Sequence, residues 1–137
     1  MRFILDASFA MPFGLSSKAI ASLSAAAKPV VPLAWKVEVA SGYHQAYLAK
    51  RVTASDAQAA LRLLQAMRVE HAPEPSPIEL FNLQRRHAIG AYDAVYVGAA
   101  MALKLKIATL DLRLIRNLKN RGLDHLILPH GSLPSAT

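Results

Sequence analysis

Four of the nine acidic residues in this 137-residue chain occupy positions from which they could act together. Asp6 and Asp111 each follow a short apolar run, and Glu38 comes a few residues after another one. Asp93 is the only charged residue in the apolar segment 89–103. Gathered carboxylates repel each other and become protonated unless a cation neutralises them, and carboxylate oxygens favour Mg²⁺ or Mn²⁺. Such an ion activates water for attack on a phosphate ester, so the four acids indicate metal-dependent phosphodiester hydrolysis.

The sequence around these acids predicts strands that alternate with helices. Short apolar runs predict strands at 3–5, 29–33, near Val69, at 106–110 and at 126–128. Helical spacing, caps and breakers predict helices at 18–27, 34–50, 56–67, 78–88, 92–103 and 112–120, with Ser55, Thr53 and Ser76 as candidate caps. This order favours one α/β domain over residues 1–128, with a mostly parallel sheet covered on both faces, and a loose tail at 129–137.

The predicted fold offers a reason for the four acids to meet. Ligands of parallel α/β sheets bind outside the carboxyl ends of the strands, near the point where strand order reverses. Taken singly, each Asp is explained as a helix cap and Glu38 as a solvated helix residue. Four acids at equivalent ends of α/β units are better explained by a shared site.

Composition narrows the function further. Lys and Arg total 16 against 9 Asp and Glu, for a net charge of +7. Eight of those basic residues lie between Arg85 and Arg121, where the only acids are Asp93 and Asp111. A basic surface around carboxylates attracts a polyanion such as nucleic acid, although solubility alone also explains a positive charge. The chain has no cysteine, which excludes disulfides, thiolate metal sites and cysteine nucleophiles.

The segments that carry the acids resemble the PIN-domain family, and most closely the VapC-type ribonuclease toxins of bacterial toxin–antitoxin pairs. The resemblance lies in four segments that follow the family's order: Phe3-Ile4-Leu5-Asp6-Ala7-Ser8, Glu38-Val39-Ala40, Ala91-Tyr92-Asp93-Ala94-Val95-Tyr96 and Ala108-Thr109-Leu110-Asp111-Leu112-Arg113-Leu114. It implies an α/β/α sandwich with Mg²⁺- or Mn²⁺-dependent endoribonuclease activity. It also implies metal-binding catalytic acids, with hydroxyls that orient them or the waters of the metal: Asp6, Glu38, Asp93, Asp111, and the supporting Ser8 and Thr109.

The same resemblance implies the partners of the chain. We expect an RNA substrate, a cognate antitoxin protein, a homodimer and a cytoplasmic location without a membrane. The sequence departs from the family's pattern at Met11-Pro12-Phe13-Gly14, where relatives continue a helix, and at Ser41-Gly42, where relatives often carry Asn. Neither departure changes an acid, so we expect catalysis to be retained.

Two other functions are compatible with parts of the sequence. A PIN-like module could bind RNA or a partner without cutting, but the intact set of four acids argues against it. A phosphoacceptor receiver domain shares the α/β plan, but it needs an acidic pair after the first strand and an Asp after the third. Here Asp6 stands alone, and the region just after Val69 offers Glu70 and Glu74 but no Asp.

Overall fold

One parallel sheet organises the computed structural model, which describes residues 1–11 and 27–129. Its strands are β1 (Arg2–Leu5), β2 (Lys28–Val31), β3 (Glu70–His71) and β4 (Ile107–Ala108). The order across the sheet is β3-β2-β1-β4, and every neighbouring pair is parallel. The chain runs outward from β1 through β2 to β3 and returns to the other side of β1 with β4. Strand order therefore reverses between β1 and β4, and the predicted α/β class with a mostly parallel sheet is confirmed.

The described helices are α1 (Ala34–Leu48), α2 (Ala54–Ala66), α3 (Pro77–His87), α4 (Ala91–Leu103) and α5 (Leu112–Asn120). Side-chain oxygens of Thr53 and Ser76 cap α2 and α3, as the sequence predicts. The predicted helix at 18–27 lies outside the described residues except for Ala27, and so does the predicted tail beyond Pro129. Within residues 1–11 and 27–129, no helix is both long and apolar enough to span a bilayer.

Side chains of β1 alternate between the two faces of the sheet, as the pleat of a strand requires. Phe3 and Leu5 are buried on one face, in a cluster that includes Leu64 of α2. Ile4 is buried on the other face, in a cluster that includes Leu114 of α5. Helices thus cover both faces in an α/β/α arrangement, and each fully buried side chain of this size contributes roughly 1.5–3 kcal/mol to folding.

The prediction of a last strand at 126–128 is wrong. Residues Asp124–Leu126 form a 3₁₀ turn, which the Ile127 N–H closes by donating to the Asp124 carbonyl. Only a single parallel bridge, between Ile127 and Ile107, continues the sheet there. A short apolar run can be buried in a turn as well as in a strand, and its hydrophobic periodicity does not distinguish the two structures.

Strand β4 is shorter than the predicted 106–110 because side chains capture the backbone beyond Ala108. The Leu110 N–H donates to Ser8 Oγ at 2.8 Å, and the Asp111 N–H donates to Thr109 Oγ1 at 3.0 Å. These hydroxyls compete with the sheet for backbone donors, as Ser and Thr commonly do at chain turns. The chain therefore leaves the sheet after Ala108, and three residues separate β4 from α5.

Candidate active site

The four predicted acids are positioned by four different elements beside the reversal of strand order. Asp6 follows β1 and caps a 3₁₀ turn, and Asp111 is the N-cap of α5. Asp93 lies in the first turn of α4, and Glu38 lies in the second turn of α1. Asp6, Glu38 and Asp111 line one cleft of about 660 Å³. Asp93, only 7% exposed, is joined to this group through Arg113.

A hydroxyl network fixes Asp6 in the cleft. Thr109 Oγ1 donates to Asp6 Oδ2 at 2.8 Å, and the Ser8 N–H donates to the same oxygen at 3.4 Å. Ser8 Oγ and Thr109 Oγ1 are 3.4 Å apart, and each accepts a backbone N–H from the segment that leads into α5. Both hydrogen bonds to Asp6 use Oδ2. The network therefore ties the ends of β1 and β4 together while Oδ1 is not used by these donors.

Capping explains part of the role of Asp6 and Asp111 but not all of it. Asp111 Oδ1 accepts the backbone N–H groups of Arg113 and Leu114, at 2.9 and 3.3 Å. Asp6 accepts the N–H of Ser8 in the turn that it caps. In each case a single carboxylate oxygen does the capping. The other oxygen is left for a second interaction, so a capping role does not exclude metal binding.

Glu38 has the most perturbed carboxyl group of the site. Burial raises the pKa of Glu38 to about 7. The nearby hydroxyl of Tyr96 partly offsets this rise, and the negative charges of Asp6, Asp93 and Asp111 add to it. Glu38 Oε1 is buried and has no hydrogen-bond partner among the described residues. A buried carboxylate oxygen without a donor is costly, and a cation would satisfy it.

Arg113 is the site residue that sequence reasoning did not single out. Its Nη1 donates to Asp93 Oδ2 and its Nη2 to Asp93 Oδ1, both at 3.3 Å. Nη2 also lies 3.6 Å from Asp111 Oδ2. The hydrogen bonds with Asp93 raise the pKa of Arg113, so its guanidinium remains charged. The only available signal was the Asp-x-Arg spacing at the start of α5, which lets the arginine fold back over the acids.

The chemistry of the donors fits a hard divalent cation, since all four acids offer carboxylate oxygens and Glu38 Oε1 is a buried acceptor. The present positions of the side chains do not yet form a binding site. Within the described residues, no group of three acidic or histidine side chains is close enough to hold one ion. Arg113 bridges Asp93 and Asp111 in this arrangement. Binding an ion through three acids therefore requires these side chains to rearrange.

The two departures from the family's pattern meet at this cleft. Met11 ends the 3₁₀ turn after Asp6, and it lines the cleft together with Gly42 of α1. A Cβ at position 42 would overlap the Met11 side chain, so the glycine makes room for the methionine. The neighbouring Tyr43 hydroxyl donates to the Ala10 carbonyl at 2.8 Å and fixes the turn on α1. The rest of the predicted interruption, residues 12–14, lies outside the described residues.

The class of the protein is defined by a small parallel α/β sheet with an acidic cleft at the point where strand order reverses. The family is defined by the amino-acid sequence. The sequence matches the PIN domain family over residues 3–119, and the chain belongs to that family. PIN domains are generally nucleases. No curated protein matches the sequence.

Solved structures that share this fold include two crystal structures. That of PAE2754 from Pyrobaculum aerophilum is 19% identical with a TM-score of 0.69, and the match covers 85% of this chain and 79% of that one. That of VapBC2 from Rickettsia felis, bound to a DNA fragment from their promoter, is 16% identical with a TM-score of 0.63. Its match covers 94% of this chain and 98% of that one. At such identities these likenesses establish the fold alone.

Proposed function

We propose that this chain is a Mg²⁺- or Mn²⁺-dependent endoribonuclease, the VapC-type toxin of a toxin–antitoxin pair that acts in the cytoplasm. The observation that carries the proposal is the acidic cleft, which Asp6, Glu38 and Asp111 line and which Arg113 connects to Asp93. Membership of the PIN domain family supports a nuclease. The resemblance of the acidic segments to VapC toxins supports RNA as the substrate.

Each part of the site has a distinct task in this proposal. Asp6, Glu38, Asp93 and Asp111 would hold the ion, which when bound stabilises charge on the phosphate and favours ionisation of water. Thr109 and Ser8 keep Asp6 at its position through the hydrogen bonds described above. The eight basic side chains between Arg85 and Arg121 are all exposed, and the seven other than Arg113 supply positive charge for the RNA backbone.

A non-catalytic PIN-like module that binds RNA or a partner is the second candidate. Two observations favour it: no three described acids are close enough to hold one ion, and Arg113 already neutralises Asp93 and Asp111. Such a module would bind RNA through its exposed basic side chains, with no requirement for a divalent ion.

An RNA cleavage assay separates the two candidates. The purified chain is incubated with a pool of tRNA and ribosomal RNA in Mg²⁺, in Mn²⁺ or in EDTA. Asp93→Asn removes a candidate ligand from the first turn of α4, and Asp56→Asn removes an exposed carboxylate from the first turn of α2 as a matched control. We expect discrete, metal-dependent cuts from the wild type and from Asp56→Asn, and none from Asp93→Asn or in EDTA.

The opposite results have distinct meanings. RNA binding without cleavage in either metal would refute the nuclease and favour the non-catalytic module. Cuts that persist in EDTA and in Asp93→Asn would refute the metal site, because a second catalytic group would have to supply the activity.

We also propose that the chain forms a homodimer and binds a cognate antitoxin. Helix α3 contains no buried residue, and its Ile78 and Phe81 are 73% and 62% exposed. Large apolar side chains in solvent are typical of contact surfaces. We expect Phe81→Glu to convert a dimer to a monomer in light scattering, whereas Arg116→Glu, at an exposed arginine of α5, leaves the mass unchanged. A monomeric wild type at micromolar concentration would contradict the dimer.

A further inference from the structure

Arg113 occupies oxygens that a metal ion would need. Its two Nη atoms are hydrogen-bonded to the two oxygens of Asp93, both at 3.3 Å. Asp111 Oδ1 is already used to cap α5, and its Oδ2 lies 3.6 Å from Arg113 Nη2. The guanidinium of Arg113 thus covers both carboxylate oxygens of Asp93 and faces the second carboxylate oxygen of Asp111.

The two partners of this ion pair differ sharply in their exposure to solvent. The side chain of Asp93 is 9% exposed, whereas that of Arg113 is 62% exposed. The arginine therefore leans over the carboxylates from outside. It can swing out into solvent, whereas buried Asp93 cannot follow it and would then need another cation. Buried Asp93 needs a cationic partner. Because Arg113 is largely exposed, another cation can replace it.

We propose that Arg113 is a built-in competitor of the divalent cation at the acidic cleft. Its guanidinium neutralises Asp93 and Asp111 in the metal-free protein, and it must release Asp93 before an ion can be bound there. Arg113 therefore weakens the affinity of the cleft for divalent cations. The inference rests on the proposed metal site, and it assigns Arg113 a regulatory role in that site.

The test is the affinity for Mn²⁺ alone, measured by calorimetry on the full chain without RNA. Arg113→Gln removes the competing charge. We expect its dissociation constant for Mn²⁺ to fall about three- to tenfold, because the lost pair is intermediate between a surface and a buried salt bridge. Arg116→Gln makes the same change of charge one turn further along α5, at an exposed arginine, and we expect its constant to change by less than about twofold.

Thermal unfolding provides a second readout that does not depend on catalysis. A ligand that binds the folded state raises the midpoint of unfolding, and at a fixed ligand concentration the rise is larger when binding is tighter. Mn²⁺ should therefore raise the melting temperature of Arg113→Gln more than that of the wild type. If Arg113→Gln does not fold, Arg113→Lys replaces the two-pronged donor with a point charge, and about a twofold gain in affinity is expected.

The outcomes separate this inference from the proposed function. Wild-type binding of Mn²⁺ with an affinity equal to or higher than that of the Arg113 variants would overturn the competitor role alone. In that case the arginine would act by positioning Asp93. If neither the wild type nor any variant binds Mn²⁺, both the metal site and this inference are refuted.

Discussion

Glu38→Gln is expected to stabilise the metal-free protein at neutral pH, although it removes a candidate ligand. The pKa of Glu38 is raised from 4.5 to about 7, chiefly because burial disfavours the ionised carboxylate. Between those pH values the folded chain retains a proton that the unfolded chain releases. The free energy of unfolding therefore falls as the pH rises through this window, and a neutral Gln of the same shape escapes the loss.

The size of the effect follows from the shift of the pKa. At about 1.36 kcal/mol per pH unit, a rise from 4.5 to about 7 corresponds to at most about 3 kcal/mol. The side chain of Glu38 is only partly buried, and solvent screens part of this energy, so we expect about 1–2 kcal/mol. Urea unfolding in EDTA at pH 4 and pH 7.5 measures it as the difference between Glu38→Gln and the wild type.

The pH dependence identifies the cause. The variant should be close to the wild type at pH 4 and more stable at pH 7.5, and Mn²⁺ should reverse the order at pH 7.5. Glu79→Gln, at an exposed acid in the first turn of α3, is the control, and we expect a difference of at most about 0.5 kcal/mol. A Glu38→Gln variant that is less stable at pH 7.5, or shifted equally at both pH values, would refute the desolvation argument.

Three further predictions concern the surroundings of the site. Thr109→Val leaves buried Asp6 without its 2.8 Å donor and should lower the free energy of unfolding by about 1–3 kcal/mol in urea, whereas Thr109→Ser should recover most of it. Gly42→Ala gains helix propensity but displaces Met11, so a double-mutant cycle with Met11→Ala should show a coupling of about 1 kcal/mol, and additive effects would contradict the contact. Leu118→Ala, at a fully buried position in α5, should cost about 2–5 kcal/mol by the same measurement, and a smaller loss would mean that the helix repacks.

The positions of the acids were predictable because strand ends in a parallel sheet share one edge. Register pairs Leu5 with Ala108, so the residues that follow them, Asp6 and Thr109, emerge side by side and form their hydrogen bond. An apolar run followed by a polar residue is a local pattern. It correctly placed Asp6 after β1, but the predicted strand 106–110 ends two residues later than β4 does. The prediction of β1 did not depend on which face of the sheet each of Phe3, Ile4 and Leu5 lies on, because helices cover both faces.

Other features depend on tertiary contacts and leave no local pattern. The Asp-x-Arg spacing relates Arg113 only to Asp111, and it does not predict that the guanidinium contacts Asp93, twenty residues away on another helix. Tyr96 lies in an apolar helix, which predicts a core residue, and the structure confirms this because Tyr96 is only 1% exposed. Its hydroxyl affects Glu38 only because α1 and α4 bring the two side chains together. The network that shortens β4 likewise depends on Ser8, which is a hundred residues from its partner.

The capping roles of Asp6 and Asp111 decide which substitutions can test catalysis. Both residues hold local structure together, so a loss of activity on their removal could follow from a damaged turn or helix start. Glu38 caps nothing, and its ionisation opposes folding, so Glu38→Gln should raise stability while it lowers metal affinity and cleavage. Effects of opposite sign in the two measurements cannot arise from misfolding. Asp93 is the next most informative position for substitution. It does not cap α4, whose N-cap is Gly90, and its partner Arg113 is largely exposed to solvent.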